Sequence, residues 1–245
     1  DRQHDRSDEG ACLGVEAAVG ELSDLSIYFG AVSDASRLIQ AFKQDFPRRV
    51  TRRWREAVRL RASESHDVGS DDDISVLRRF GTTLTAAVWW KDRLAVAQIG
   101  DSSAFLVRPD GEVDSVFRSE PNVVGLATDS LCSVDADKRW LTAVPRCPVG
   151  TLFLTVTDGL VNAFAQEKEV LKFARSLGDR IRDYGIAEVA KALPGWLDEY
   201  SEKGSGDDIT VVGVYRRPGV SPGQVSEPHG PSSGMPETGG IFWEI

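Results

Sequence analysis

Three aspartates stand where apolar runs of the sequence stop or start. Residues 152–156, Leu-Phe-Leu-Thr-Val, form an apolar and β-branched run that predicts a buried strand, and the run leads directly into Asp158-Gly159. Asp is depleted in strands because its short side chain competes for backbone hydrogen bonds, so an Asp at a strand's mouth serves either a turn or a site. Asp-Gly alone is an ordinary turn dipeptide. The pattern recurs, however. Residues 27–32 (Ile-Tyr-Phe-Gly-Ala-Val) close on Ser33-Asp34-Ala35, and Gly204-Ser205-Gly206 leads into Asp207-Asp208 ahead of the run 209–215. Carboxylates gathered at one rim of a sheet repel one another unless a hard cation sits among them. Oxygen-only donors favour magnesium, manganese or calcium over zinc. Cys12, Cys132 and Cys147 have no metal-ligand spacing and do not compete for that role.

The elements that must position these acids follow from periodicity. A polar stretch, 1–10, precedes an expected strand near 11–19, and 27–32 is the second expected strand. Leu38, Phe42, Phe46, Val50, Trp54 and Val58 then recur every four residues, which predicts a long helical region, broken or bent at Pro47. Its outer face carries Arg48, Arg49, Arg52, Arg53, Arg55, Arg59 and Arg61. Such a face is most often simply solvated, and docking of a phosphorylated partner is the alternative. Residues 64–73 are acidic and read as a mobile loop able to fold back on that helix. From 81 to 117 the period changes to that of strands, with tight connections at Lys91-Asp92, Gly100-Asp101 and Pro109-Asp110-Gly111, which predicts a four-stranded antiparallel meander. Asp101 reads as a turn residue. Short strands are expected near 130–134 and 141–144. Amphipathic helices follow at about 167–182 and 186–200, with Pro194 kinking or delaying the second. Residues 218–245 are rich in Pro, Gly and Ser and read as a flexible tail, closing on the apolar Ile241-Phe242-Trp243-Glu244-Ile245, a docking segment or an added strand.

Strands in meanders with helices in two groups indicate the α+β class. With 41% hydrophobic residues and six Trp among 245 residues, one domain over 1–217 is expected. The net charge of −9 argues against a nucleic-acid partner. No run reaches the eighteen or so apolar residues of a membrane span, and an odd cysteine count fits a reducing compartment, so a cytoplasmic monomer is expected.

Three segments together resemble the metal-dependent serine/threonine protein phosphatases of type 2C: 81–111 (GTTLTAAVWWKDRLAVAQIGDSSAFLVRPDG), 152–160 (LFLTVTDGL) and 204–214 (GSGDDITVVGV), while 117–133 resembles the family's bacterial branch more than its eukaryotic members. The three segments occur in the family's order. The resemblance implies a four-layer αββα sandwich of two mainly antiparallel sheets flanked by helices, two magnesium or manganese ions, and hydrolysis of phosphoserine and phosphothreonine in a phosphoprotein. By motif, Asp158 and Asp207 match the first-metal ligands, Asp34 the acid that bridges both metals, and Ala35 the residue offering its backbone carbonyl. Two cations clamp the phosphate oxygens and lower the pKa of a bridging water until it attacks phosphorus in line.

The N-terminal third departs from the family. Asp34 is followed by Ala35-Ser36-Arg37-Leu38 in place of a glycine-rich turn carrying a His, so the general acid has no counterpart, a loss of about 10² to 10⁴ in rate. The second-metal acid is Glu9 if 8–11 are laid on the family's Asn-Glu-Asp-Ala, or is replaced by Gly14 if His4 and Cys12-Leu13-Gly14 are laid on its His and Cys-Gln-Asp. The phosphate-binding cation is Arg6 or His4, either of which also reads as a solvated terminal residue. Two functions therefore stand: a two-metal phosphatase, and a weak or inactive phosphatase-like module that binds a phosphoprotein or a serine/threonine kinase. A purely structural domain, its acids capping turns, would be indifferent to Asp158→Asn.

Overall fold

The computed structural model describes residues 4–31, 35–65, 73–117, 128–164 and 166–217. Their order is α1 (Ser7–Ala31), α2 (Ala35–Glu64), α3 (Asp73–Arg79), β1 (Leu84–Trp90), β2 (Arg93–Ile99), β3 (Ser103–Val107), β4 (Val113–Ser115), β5 (Leu141–Ala143), β6 (Leu152–Val156), α4 (Asp158–Asn162), α5 (Glu167–Tyr184), α6 (Ile186–Tyr200) and β7 (Val211–Tyr215). The class is α+β. Two compact units form, one from 1–102 with 117–146, the other from 103–116 with 147–245.

The first unit is built on α2. Phe42, Phe46, Val50, Trp54 and Val58 of the predicted stripe are all fully buried, and the helix continues through Pro47 as one element instead of two. Phe42 and Phe46 stack with centroids 5.0 Å apart, and Trp140 meets Phe46 edge-on at 6.0 Å. The antiparallel sheet β1-β2-β5 pairs Leu84↔Ile99 through Trp90↔Arg93 and Val96↔Ala143. Its Ala86, Ala95, Ala97 and Ile99 share the helical core.

The strands expected at 11–19 and 27–32 are not formed: 11–31 lies within α1, and 32–34 fall outside the described residues. The physical reason is a stripe of helical period made of small residues. Among residues 7–25 of α1, Gly10, Leu13, Gly14, Ala17, Ala18, Glu21 and Leu25 are the buried positions. A Cβ on Gly10 would sit 1.8 Å from the Phe80 carbonyl oxygen, so the helix is seated against the end of α3 by the absence of a side chain.

The basic face of α2 is answered by the chain's own acids. Arg49 and Arg53 flank Glu21, whose side chain is only 5% exposed, with Arg49 Nε 2.5 Å from Glu21 Oε2 as an ion pair outside hydrogen-bond alignment. Arg48 pairs with Asp45, Arg52 with Glu56, Arg59 with Asp73 and Arg61 with Glu9, while Arg55 donates to the Ser133 and Val134 carbonyls. Glu21→Gln is expected to cost about 1–2 kcal/mol in denaturant unfolding, since it removes the buried one of the two acids, Glu21 and Asp24, that Arg49 and Arg53 share.

The second unit is the antiparallel sheet β4-β3-β6-β7 with α4, α5 and α6. Registers run Ser103↔Val156 to Val107↔Leu152 and Leu152↔Tyr215 to Val156↔Val211. Phe105, Val107, Leu152, Leu154 and Val211 pack with Val170, Phe173, Leu177, Ile181, Val189 and Leu193 of the two predicted helices. Pro194 lies inside α6 without delaying its start. The expected meander is corrected: β1–β2 and β3–β4 are hairpins of different sheets, because at Gly100 (φ 119°) the chain leaves one sheet and enters the other. Residues 131–138 form turns and a 3-10 segment where a strand was expected near 130–134. The loop at 66–72 and the tail from 218 lie outside the described residues.

Candidate metal centre

Asp158 and Asp207 arrive at the same rim of one sheet. β6 ends at Val156, two residues before Asp158, and its register partner Val211 opens β7, shortly after Asp207-Asp208. The two segments are stitched together beyond the ladder. Thr157 N–H donates to the Thr210 carbonyl at 3.0 Å, and Thr210 N–H donates to Thr157 Oγ1 at 2.9 Å. A Cβ on Gly159 would lie 2.3 Å from the Asp208 carbonyl oxygen, so the Gly of the Asp-Gly pair is what admits the second acidic segment.

Each carboxylate is oriented locally. Asp158 opens the short α4, where Asn162 Nδ2 reaches its Oδ2 at 3.5 Å. Asp207 Oδ1 accepts the Asp208 N–H at 2.9 Å, the Asp207 carbonyl accepts the Ser201 hydroxyl at 2.8 Å, and Asp207 N–H donates to Ser205 Oγ at 3.3 Å. Thr157, Ser201 and Thr210 are the site residues that sequence reasoning missed. Their only signal is adjacency to the aspartates.

The donor set fits a hard divalent cation in kind, being carboxylate oxygens on neighbouring strand ends. It is incomplete in number. Among the described residues no group of three or more His, Cys, Asp or Glu side chains is placed to hold a metal ion. Asp34, the expected bridging acid, lies outside the described residues. Ala35 is the first residue of α2, where helix geometry directs a carbonyl toward the amide four residues on.

The N-terminal candidates form a cluster within the first unit. Arg6 donates to Glu9 through Nε at 2.7 Å and Nη2 at 2.8 Å, donates to Ser65 Oγ at 2.9 Å, and lies 4.4 Å over the Phe80 ring. The Arg6 hydrogen bonds, which outweigh the opposing desolvation and are aided by the charges of Arg6 and Arg61, hold the Glu9 carboxyl below the usual range. Asp5 is likewise lowered, first by its hydrogen bonds to Arg79. His4 is exposed and lies against Gly81. Asp101 sits in the turn after β2, its Oδ2 accepting the Thr128 hydroxyl at 2.9 Å.

A carboxyl whose folded pKa lies below its unfolded value adds stability that is complete above about 4.3 for Glu or 3.9 for Asp and is lost as pH falls through the lowered folded value. Glu9→Gln should therefore lower the thermal midpoint at pH 7 and flatten its decline on acidification below about pH 4.3. Parallel midpoint-against-pH curves for the two proteins would remove Glu9 from the acid sensitivity of the fold.

The sequence of residues 3–198 matches the protein phosphatase 2C family. The chain belongs to the protein phosphatase 2C family. Solved structures agree on the phosphatase 2C fold. The catalytic domain of serine threonine protein phosphatase PstP in complex with two manganese ions is similar with a TM-score of 0.51 at 21% identity, over 84% of this chain and 79% of that one. The Mycobacterium tuberculosis serine/threonine phosphatase PstP/Ppp gives 0.52 at 19% identity, over 83% and 81%. PppA of Pseudomonas aeruginosa, described as a key regulatory component of its T6SS, gives 0.53 at 20% identity, over 86% and 81%. No curated protein matches this phosphatase 2C chain in sequence. Among its described residues no helix is long and apolar enough to cross a membrane.

Proposed function

We propose that this chain is a metal-dependent protein serine/threonine phosphatase, with residues 1–217 as its phosphatase domain. The observation that carries the proposal is the convergence of Asp158 and Asp207 at one rim, with Gly159 backed onto the Asp208 carbonyl. Asp158 and Asp207, completed by Asp34, would hold manganese or magnesium, as the family relationship implies. Such ions, when bound, polarise phosphoryl oxygens and generate a nucleophilic water at neutral pH. The chain's own part is to supply negative oxygen donors, to fix Asp207 through Ser201 and Ser205, and to keep the two acidic segments in register through Thr157 and Thr210. The substrate class is a phosphoserine or phosphothreonine protein, in the cytoplasm, in keeping with the three free cysteines among the described residues.

A second reading is favoured by one specific observation. Glu9, the candidate second-metal ligand, is engaged by Arg6 on both oxygens and approached by Arg61 at 3.9 Å. A guanidinium in that position competes with a cation, and a domain that held only one ion would bind phosphoproteins or a kinase with little turnover. The test is manganese-dependent hydrolysis of p-nitrophenyl phosphate, whose leaving group needs no proton, with metal stoichiometry by calorimetry. Turnover with two ions bound supports the enzyme; one ion or none without turnover makes the chain a binding module.

A further inference from the structure

The segment between α6 and Asp207 is a π-helical turn, Ser201–Ser205, closed by Gly206 in the left-handed region at φ 68°. Such wide turns are rare and recur at functional sites. This one touches both acidic segments. Ser201 Oγ donates to the Asp207 carbonyl at 2.8 Å, and Gly206 N–H donates to the Ser201 carbonyl at 2.9 Å, so the start of the turn grips the strand-entry acid. Its far side rests on the other segment. A Cβ on Gly204 would lie 2.8 Å from Ala163 Cβ, 2.9 Å from Ala163 Cα and 3.0 Å from the Ala163 carbonyl oxygen, just past the end of α4, the helix that Asp158 opens. Two of those three atoms are backbone and cannot swing aside.

We propose that the π-turn is a spacer that fixes the separation of Asp158 and Asp207, with Gly204 and Ser201 as positioning residues for a divalent cation held between them. The proposal rests on the metal-dependent reading above. The two segments meet at two bare-backbone contacts, Gly159 on Asp208 and Gly204 on Ala163, which bracket Asp207 along its own segment and both follow Asp158. A methyl group at either contact drives the segments apart. Carboxylates moved by a few tenths of an ångström no longer meet the distances a small hard ion demands. The device also ties the site to α6, since any shift of that helix along its axis is passed through the turn to Asp207.

The test uses the full chain with Gly204→Ala, Ser201→Ala and, as a control, Gly195→Ala, a site within α6 where an added Cβ meets nothing within 4 Å. Hydrogen exchange on the metal-free protein is read at the amides of Thr157 and Thr210. Gly204→Ala is expected to lower their protection while the β3–β6 ladder keeps its own, Ser201→Ala to do the same more weakly, and Gly195→Ala to leave both unchanged. Calorimetry with manganese alone is expected to show binding about 10- to 100-fold weaker in Gly204→Ala, the size of loss seen when groups that orient metal ligands are removed. Wild-type protection in folded Gly204→Ala overturns the spacer. So does wild-type manganese affinity in that variant. Should the unaltered chain itself bind no manganese, the phosphatase reading fails, and the exchange pattern still decides whether the π-turn spaces the two segments.

Discussion

Asp158→Asn is expected to lower manganese-dependent turnover of p-nitrophenyl phosphate by more than about 100-fold, the upper end of the loss caused by removing groups that merely support metal ligands. The substitution keeps the shape of the side chain and one acceptor oxygen while removing the charge. Asp158 is half-buried at the mouth of β6, and the metal-free variant should stay within about 0.5 kcal/mol of the parent, as surface substitutions usually do. The separation of the two effects is diagnostic. An ion present at 100 times its dissociation constant adds about 2.7 kcal/mol to the folded state, and that increment should vanish in Asp158→Asn. A variant with parental turnover and parental stabilisation by manganese would reduce Asp158 to a turn residue and leave the phosphatase proposal without its anchor.

Trp54→Ala is the substitution with the largest expected effect on stability. The indole is fully buried in the middle of α2, and its Nε1–H donates to the Gly10 carbonyl of α1 at 2.9 Å. Truncating a buried Trp typically costs about 3–5 kcal/mol through lost transfer energy and the cavity left behind. The orphaned carbonyl adds about 1 kcal/mol. For a chain of this size that corresponds to a fall in the thermal midpoint on the order of 10 °C. Trp54→Phe separates the contributions, since it keeps most of the apolar volume and loses only the donor; about 1–2 kcal/mol is expected for it. Equal costs for the two variants would mean that the hydrogen bond, and not the packing, holds α1 on α2.

The pattern of what the sequence revealed follows from where its signals are local. The helices α5 and α6 and the strand β6 were legible because large apolar residues mark one face of each with a clear period. Asp158 and Asp207 were legible because an acid against an apolar run is itself a local contrast. The N-terminal region was misread for the opposite reason. Gly10, Gly14, Ala17 and Ala18 are buried small residues, Gly10 against the Phe80 carbonyl and Gly14 against the side chains of Leu131, Thr82 and Trp54, so they leave almost no hydrophobic trace, and Glu21 is buried as the shared partner of two arginines. The pairing of Arg6 with Glu9 follows at once when residues 7–31 are helical, because three residues bring the two side chains to one side of a turn. The parting of β2 from β3 had no local signal either. A turn at Gly100-Asp101 announces a reversal, but the strands chosen as partners, β5 and β6, lie far along the chain.

That parting has a consequence for biosynthesis. Each compact unit is assembled from two separate stretches of the chain, so no single cut divides the polypeptide into two self-sufficient halves. A ribosome that has released residues up to 146 has delivered every strand of the sheet β1-β2-β5, together with a hairpin, β3–β4, whose neighbour β6 has yet to be made. Until β6 emerges, Phe105, Leu106 and Val107 present an apolar strand with one edge unpaired, the kind of surface that nascent chains exchange with one another. Slowing translation just before residue 152 would lengthen that exposure, and fragments ending there would be the ones for a chaperone to hold.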